Sequence, residues 1–351
     1  MTTRYNTDQR VSEYVLEECI GFGSFAEVWR ARHHVWKDAR VAIKLPTEPE
    51  YVRYLQREGI VVHGLRHPNI VRVLGFDPYA DIPYLVMELV RGPSLRQLLD
   101  DHARGLPIAT VETLLRGMLA GIQAAHTAGV LHRDLKPGNV LLDLDGRPPA
   151  ALRTEDVKLA DFGFGVNDAN TLRSIAQSGS LDRDHRIVGT LAYMAPETQS
   201  GTRAADPRSD LFAVGVMLFE MLTGERPAGA ELPSTVRAEV PPALDQLFRG
   251  LCAGYERRFA GVEQVLEALD RRVRTEPVLA DAPRAESIHS GLVHGRCRSC
   301  RHPVQPDDQF CTNCGEQIAT DVRRCPACRS FPGPRDRFCI YCGSTLLVKE
   351  V

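Results

Sequence analysis

The spacing of apolar residues changes along the chain at about residue 94. Between residues 13 and 90, short β-prone runs such as "ARVAIKL" and "IPYLVMEL" are separated by glycines and polar turns, a pattern typical of strands. From residue 94 onward, apolar residues recur every three or four positions, which is the period of an amphipathic helix. The pattern predicts helices at residues 50–65, 94–103, 111–126, 210–223, 242–252 and 262–273. A small β-rich region followed by a larger helical one indicates an α+β arrangement.

The C-terminal part of the chain follows a different pattern. Residues 274–295 lose all periodicity and are predicted to be a linker. Residues 296–351 contain two copies of one motif, "CRSCRHPVQPDDQFCTNCG" and "CPACRSFPGPRDRFCIYCG", which begin 28 residues apart. The chain is therefore predicted to contain one large domain at residues 13–273, the linker, and a small repeated module at residues 296–351.

Each copy of the repeat has the spacing C-x2-C-x10-C-x2-C. Four thiolates suit tetrahedral Zn²⁺, and a closed shell of four cysteines is typical of a structural site. Iron in a rubredoxin-like site is the alternative, because tetrahedral sulfur ligation suits both metals. The predicted ligands are Cys297, Cys300, Cys311, Cys314, Cys325, Cys328, Cys339 and Cys342. The two remaining cysteines, Cys19 and Cys252, are expected to be small buried apolar residues.

Composition and charge exclude further classes of function. The chain has 351 residues, 43% of them hydrophobic and 25% charged, with a formal net charge of −2, so no overall charge excess points to nucleic acid. The first ten residues carry no apolar core of a signal peptide. The most apolar long run, residues 211–224, is too short to span a bilayer. A soluble cytoplasmic protein without a membrane partner is expected.

Five short motifs in the large domain bear on phosphate chemistry. They are "GFGSFAEV" at 21–28, "VAIK" at 41–44, "LHRDLKPGNVLL" at 131–142, "VKLADFG" at 157–163 and "GTLAYMAPE" at 189–197. The glycine-rich run and the strand lysine are each common by themselves. All five in this order resemble the eukaryotic-type Ser/Thr protein kinases, and most closely the bacterial members of that family. The resemblance covers about residues 14–273, and the tail resembles double zinc ribbons.

The resemblance implies a bilobal protein-kinase fold, with a β-rich N-lobe and a helical C-lobe, followed by tandem zinc ribbons. It also implies transfer of the ATP γ-phosphate to Ser or Thr hydroxyls of protein substrates. The implied cofactors are ATP, Mg²⁺ or Mn²⁺, and two structural Zn²⁺ ions. The implied catalytic residues are Lys44, Glu58, Asp134, Lys136, Asn139 and Asp161.

By this resemblance, Asp134 would accept the proton of the substrate hydroxyl and Lys136 would steady the γ-phosphate. Asn139 and Asp161 would hold Mg²⁺, which favours hard oxygen ligands. Lys44 would grip the α- and β-phosphates. The implied nucleotide-binding residues are Ile20, Gly21, Gly23, Val28, Ala42, Lys44, Met87, Glu88, Leu89 and Leu141. Met87 would be the gatekeeper, and the segment from Glu88 to Val90 the hinge that contacts adenine.

The resemblance also implies supporting contacts. Glu58 on the predicted helix would pair with Lys44. Asp210 would lie under the catalytic loop, and Arg258 would form an ion pair with Glu197, both as supports of the fold. In this family, an arginine directly before the catalytic aspartate, as Arg133 is here, accompanies phosphorylation of the activation loop. Autophosphorylation is therefore expected among the hydroxyl residues of that loop, which include Thr171, Ser174, Ser178 and Ser180.

The chain departs from the family pattern at four places. Ala26 replaces the third glycine of the phosphate loop, and its methyl group is small enough to retain ATP binding. Only 14 residues separate Lys44 from Glu58, so the helix between them is expected to begin late. Residues 147–156 are an insertion, predicted to be a surface loop. Residues 227–241 are shorter than usual, so a helix that often docks protein substrates is expected to be missing.

The tail's charge bears on its partner. Residues 296–351 carry nine Lys or Arg and six Asp or Glu, and two Zn²⁺ with eight thiolates would bring the net charge to about −1. Nucleic-acid binding is therefore disfavoured, and a module that docks a protein partner or regulates the kinase is favoured over a passive cap. A linker of this length spans about 25 Å, enough for the tail to reach its own lobes. A nucleotide-binding pseudokinase scaffold and a small-molecule phosphotransferase remain the alternative functions.

Overall fold

The computed structural model describes residues 3–22, 26–48, 52, 55–56, 63–162, 191–229 and 231–274. In the tail it describes residues 292–293, 296–297, 318, 324–325 and 345. Within this part of the chain, no helix is long and apolar enough to cross a membrane.

The N-terminal lobe is a six-stranded antiparallel sheet. Its strands are β1 (Arg10–Val11), β2 (Tyr14–Phe22), β3 (Ala26–His33), β4 (Arg40–Pro46), β5 (Val73–Asp77) and β6 (Tyr84–Glu88). The strand order is β1-β2-β3-β4-β6-β5, so that β5 and β6 exchange places relative to the sequence. The β-rich region predicted between residues 13 and 90 is confirmed.

Alternation along β4 decides which side chains face the cleft between the lobes. Successive side chains of a strand point to opposite faces. Val41, Ile43 and Leu45 join one apolar cluster of the lobe, whereas Ala42 joins a second cluster that contains Met87. Lys44 follows Ala42 by two positions and therefore lies on the same face as the gatekeeper position.

Two long helices lie at the centre of the C-terminal lobe, where the described residues form seven α-helices. The helices are α1 (Leu95–Asp100), α2 (Ile108–Thr127), α3 (Pro196–Gln199), α4 (Pro207–Thr223), α5 (Pro233–Val236), α6 (Pro242–Leu251) and α7 (Val262–Arg274). Helix α4 is buried over most of its length and begins at an N-cap, Asp206, whose side chain accepts a hydrogen bond from the Arg208 amide. It ends at Gly224, whose φ of 80° suits glycine. The buried apolar residues of α2, α4, α6 and α7 form one continuous core.

A short antiparallel hairpin contributes its apolar side chains to the core of the C-terminal lobe. Its strands are β7 (Val140–Leu142) and β8 (Val157–Leu159). The insertion at residues 147–156 lies between them and contains two turns of 3-10 helix. Most of the insertion is exposed, as predicted. Its last residue, Asp156, is buried and forms an ion pair with the Arg147 guanidinium at 2.7 Å.

The predicted helices are present with shifted ends. Helix α1 ends at Asp100 rather than residue 103, and the chain leaves it through a turn in which Gly105 has a φ of 85°. Helix α2 begins at Ile108, three residues earlier than predicted, because Pro107 caps it. Of the helix predicted at 50–65, the described positions 52, 55, 56 and 63 are helical. Cys19 and Cys252 are only half-buried, although each packs against an apolar cluster.

Candidate active site

The segment before β7 gathers two polar side chains around one carboxylate. Lys136 Nζ donates to both oxygens of Asp134, at 3.1 and 2.8 Å. Asn139 Nδ2 donates to the Asp134 carbonyl at 2.8 Å and to its carboxylate at 3.0 Å. Asn139 lies in a single 3-10 turn and is buried. The carboxylate of Asp134 is therefore held in place from two sides, with its charge compensated by a lysine.

A buried aspartate supports this segment from below. Asp210 is 2% exposed and accepts backbone N–H bonds from His132 at 2.9 Å and Arg133 at 2.8 Å. Its Oδ2 also lies 2.8 Å from His126 Nε2. Burial opposes the ionised form of Asp210, but the hydrogen bonds from His126 and the Arg133 amide, together with the neighbouring histidines, outweigh it and keep the pKa below its ordinary value. The predicted position of Asp210 under the catalytic loop is confirmed.

The backbone of this loop is strained at the residue before Asp134. Arg133 has a φ of 67°, a region that non-glycine residues seldom adopt. The Asp134 amide donates to His132 Nδ1 at 3.4 Å, so the proton of a neutral His132 ring lies on Nε2. Burial lowers the pKa of His132, which favours that neutral form. Its ring also packs against Phe162, with 4.4 Å between the centroids.

Lys44 and Asp161 meet across the cleft from opposite lobes. Lys44 Nζ donates to Asp161 Oδ1 at 2.8 Å. Burial opposes ionisation of Asp161, but the neighbouring Lys44 ammonium outweighs it and lowers the pKa of the carboxyl. Asp161 has a φ of 61°, and the Ala160 amide beside it donates to the Asn139 carbonyl at 2.9 Å. That bond ties the Asp161 segment to the segment that carries Asp134.

The donor set at this point fits a hard divalent cation. Because Asn139 Nδ2 is engaged by Asp134, the amide presents its oxygen as the atom that can ligate a metal. Lys44 contacts one oxygen of Asp161, and the second oxygen can serve a cation. One carboxylate and one amide oxygen are the ligand types that Mg²⁺ accepts, together with water and phosphate oxygens.

The predicted adenine-side residues share one apolar cluster. Ala42 and Met87 are buried there, and Val28, Leu89 and Leu141 pack against them. Gly21 pairs with Val28 in the sheet, and Ile20 is 47% exposed at the edge. The side chain of Glu88 lies 2.9 Å from Lys158 Nζ. The strands thus bring most of the predicted nucleotide-binding residues to one side of the cleft.

Two predicted site residues, Gly23 and Glu58, lie outside the described residues, as do the activation-loop hydroxyl groups and Thr190. The pairing of Glu58 with Lys44 therefore stays a prediction. So do the catalytic roles assigned to Asp134, Lys136 and Asn139.

A second buried ion pair fixes the segment that follows the activation loop. Arg258 contacts both oxygens of Glu197, at 2.6 and 3.2 Å. The guanidinium also donates to the carbonyls of Ala253 at 3.2 Å and Arg208 at 3.1 Å. The ion pair predicted between these two residues is present, in the bidentate geometry that favours arginine.

The sequence pattern did not predict one buried hydrogen-bond network. Tyr193 Oη donates to Glu220 at 2.5 Å, and Arg96 donates to the other oxygen of Glu220 at 2.8 Å. Burial and the Glu220 charge raise the pKa of Tyr193, which therefore remains a neutral donor. His126, the partner of Asp210, was also missed. These residues are distant in sequence and carry no local motif that could have identified them.

Comparison with known proteins agrees with this geometry. A family model described as the protein kinase domain matches residues 14–249. The chain belongs to the protein kinase family. A second model, described as a double zinc ribbon, matches residues 297–343. The predicted domain boundaries at residues 13–273 and 296–351 remain predictions.

Several bacterial members of the kinase family resemble this chain. The serine/threonine-protein kinase PkaA of Streptomyces coelicolor is 33% identical over 297 residues, covering 80% of this chain and 49% of PkaA. The serine/threonine-protein kinase PknL of Mycobacterium tuberculosis is 33% identical over 313 residues, covering 82% of this chain and 73% of PknL. The chain therefore spans about half the length of PkaA.

The fold has solved counterparts within the kinase family. The crystal structure of the Mycobacterium tuberculosis PknI kinase domain superposes with a TM-score of 0.57 at 22% identity, covering 76% of this chain and 99% of that domain. This similarity shows the protein-kinase fold, and with it the bilobal arrangement predicted from the sequence.

The zinc-ribbon tail is described at few positions. Of its eight predicted ligands, Cys297 and Cys325 lie among the described residues, and Cys325 is 1% exposed. The other six cysteines fall outside them. The family model supports a zinc-binding tail.

Proposed function

We propose that the chain is an active Ser/Thr protein kinase that transfers the ATP γ-phosphate to hydroxyl groups of protein substrates. The observation that carries this proposal is the convergence of two polar groups in one cleft. Lys44 meets Asp161 at 2.8 Å, and the Ala160–Asn139 backbone bond joins that pair to the Asp134 cluster. The names of PkaA and PknL as serine/threonine-protein kinases support the same activity.

In the proposed reaction, a substrate hydroxyl oxygen forms a bond to the γ-phosphorus as the bond from that phosphorus to the β–γ bridging oxygen breaks. Asp134 accepts the hydroxyl proton, and ADP leaves. Lys136, 2.8 Å from the Asp134 carboxylate, brings positive charge to the transferring phosphoryl group. Phosphoryl transfer depends mainly on such positioning and charge neutralisation, and Asp134 is held from two sides for this purpose.

Asp161 and Asn139 are the residues proposed to hold Mg²⁺. When bound, the ion would neutralise charge on the phosphate oxygens. Lys44 keeps Asp161 ionised and oriented in the cleft, and the buried 3-10 turn fixes Asn139. These two residues come from different chain segments, and the hydrogen bond between Ala160 and Asn139 sets their separation.

The test is phosphate incorporation from labelled ATP·Mg²⁺ into the chain and into a generic protein substrate. Loss of a general base is expected to reduce the rate by about 10²-fold or more in Asp134→Asn. The matched control is Asp145→Asn, which changes an exposed aspartate ion-paired to Arg91 at 3.1 Å and should leave the rate unchanged. Equal rates in the wild type and Asp134→Asn would refute the proposal.

The same experiment distinguishes the alternatives. A pseudokinase scaffold would bind ATP without incorporating label in any variant. A small-molecule phosphotransferase would hydrolyse or transfer phosphate in an Asp134-dependent manner only when a small acceptor is present. The described geometry argues against the scaffold, because the residues that transfer would require are brought together in one cleft, and the acceptor used in the assay separates a protein kinase from a small-molecule phosphotransferase.

We further propose that the kinase phosphorylates its own activation loop. Arg133 lies next to Asp134 on a loop fixed by Asp210, and a guanidinium there can pair with a phosphate. Mass spectrometry after incubation with ATP should find phosphate between residues 164 and 189 in the wild type and none in Asp134→Asn. Phosphate confined to other parts of the chain would contradict this proposal.

We also propose that the tail binds two structural Zn²⁺ ions, one per repeat, and docks a protein partner or regulates the kinase. The support is the complete pair of four-cysteine motifs within the double zinc ribbon match. Metal analysis should find about two zinc ions per chain, and iron would indicate the rubredoxin-like alternative. If deletion of residues 274–351 left partner selection and phosphorylation rates unchanged, the docking role would be wrong.

A further inference from the structure

The loop that follows helix α4 is fixed firmly to the C-lobe. Gly224 ends the helix, and a side chain there would collide with the Ala103 carbonyl, 2.3 Å from the added carbon. Arg237 donates to the carbonyls of Leu106 at 2.7 Å and Leu222 at 3.0 Å. These contacts hold the two ends of the segment on the C-lobe.

The short helix within this segment is fixed as well. Helix α5 has four residues, and its Ser234 donates through its amide to Asp245 at 3.0 Å and through its hydroxyl at 2.5 Å. Apart from residue 230, this part of the chain is described, and α5 is the helix that it contains between residues 227 and 241. The longer docking helix expected from the family is therefore replaced by a compact, well-anchored loop.

Two carboxylates of this loop converge on one cation from the tail. Glu225 directly follows Gly224, and Glu231 directly precedes the cap of α5; we call the loop that carries them, residues 224–237, the acidic platform. Arg324 Nη1 lies 3.7 Å from Glu225, and Arg324 Nη2 forms an ion pair with Glu231. The side chain of Glu231 is only 9% exposed and that of Glu225 is 22% exposed.

Because the Glu231 side chain is buried, loss of this contact would be energetically unfavourable. A carboxylate withdrawn from water is strongly unfavourable unless a positive charge compensates it. Among the described residues, Glu231 Oε1 is buried without a well-formed hydrogen bond, and the Arg324 guanidinium supplies the compensating charge. Arginine suits this position because its planar group presents separate nitrogens to two carboxylates.

The tail side of the contact also lies in a packed environment. Arg324 directly precedes Cys325, the first predicted metal ligand of the second repeat, and Cys325 is 1% exposed. Ile318, six residues earlier, is 3% exposed. Arg324 therefore directly precedes a residue that is almost completely buried.

We propose that the second zinc-ribbon repeat docks in cis on the acidic platform, with Arg324 bridging Glu225 and Glu231. The occupant of this surface is then the chain's own tail, at the place where the C-lobe lacks the longer docking helix. Because both partners belong to one chain, a contact of few residues can be well populated at any protein concentration. This proposal does not depend on kinase activity.

Hydrogen exchange of the full-length, zinc-loaded chain tests the proposal. Backbone amides of the acidic platform should exchange about two- to five-fold faster in Arg324→Glu than in the wild type, the range expected for losing one partly exposed ion pair. Arg324→Lys, which keeps the charge, should retain much of the protection. Glu267→Arg makes a comparable charge change on an exposed residue of helix α7 and should have no effect on the platform.

Glu231→Arg tests the same contact from the kinase side, in case a change beside Cys325 disturbs zinc binding. It should accelerate exchange as Arg324→Glu does, and combining the two reversals should restore protection. Unchanged exchange in Glu231→Arg with zinc content intact would overturn the proposal. Protection that increases with protein concentration would overturn it too, because the occupant would then be the tail of a second copy.

Discussion

Replacing Asp210 should lower the stability of the fold without removing any group that takes part in the chemical step. It touches no predicted reacting group, yet its carboxylate accepts the amides of His132 and Arg133 directly before Asp134. In Asp210→Ala, the buried amide of His132, the part-buried amide of Arg133 and the His126 ring lose their acceptor. Each buried donor left unsatisfied costs about 1–3 kcal/mol, so the two amides alone predict a loss of about 2–6 kcal/mol.

Such a loss is a large fraction of the stability of an ordinary domain, about 5–15 kcal/mol. Urea unfolding of the wild type and Asp210→Ala measures it directly. Asp270→Ala is the matched control, because Asp270 is 57% exposed and pairs with Arg116 at 2.7 Å. Its loss should stay below about 1 kcal/mol. If Asp210→Ala cost no more than Asp270→Ala, the assigned role of the buried carboxylate would be refuted.

The pH dependence gives an independent check. The pKa of Asp210 is lower in the folded protein than its ordinary value. The stability that its ionised form contributes is therefore fully present above the unfolded pKa of about 3.9, and is lost as the pH falls through the folded pKa. The stability difference between wild type and Asp210→Ala should be constant from pH 7 to about pH 5 and shrink below about pH 4. If the stability difference between wild type and Asp210→Ala does not change at acid pH, the charge of Asp210 does not contribute to stability.

Three further predictions concern other polar contacts. Arg258→Ala leaves the Glu197 carboxylate uncompensated, at 11% exposure, and should cost about 3–5 kcal/mol in urea unfolding; a cost below about 1 kcal/mol would mean that the pair is solvated. Lys44→Met should lower the phosphorylation rate about 10²-fold with little change in the urea midpoint, and an unaltered rate would remove Lys44 from the site. Asp156→Asn should destabilise the chain at pH 7, because a hydrogen bond from Arg147 holds the pKa of Asp156 well below its ordinary value. That deficit should begin to shrink as the pH falls below about 4, and a deficit that stays constant in thermal melts down to pH 3 would contradict the assignment.

The sequence predicted those parts of the site that rest on local pattern. Lys44 was predicted as a strand lysine and lies in β4, and the motif at residues 131–142 placed Asp134 and Asn139 within one short segment. A strand period and a tight turn are local properties, so the spacing of the residues carries them.

Contacts between distant segments could not be predicted in the same way. The Tyr193–Glu220–Arg96 network joins a loop, the end of α4 and helix α1, and each residue is unremarkable in its own segment. Arg147 and Asp156 illustrate a smaller failure. Their segment was predicted only as a surface loop, yet the pair buries a carboxylate at the end of the insertion.

Helix α4 connects the catalytic loop to the acidic platform and limits what tail docking can do. Asp210 in its first turn holds the catalytic loop, and Glu225 directly follows its Gly224 cap. Asp210 and Glu225 lie 15 positions apart in the sequence, or about 22 Å along the helix axis, and the helix between them is buried on nearly all sides. A helix packed in this way does not bend with a single surface contact, since its neighbours fill the space around it. Docking of the tail at Glu225 is therefore expected to leave the geometry around Asp134 unchanged.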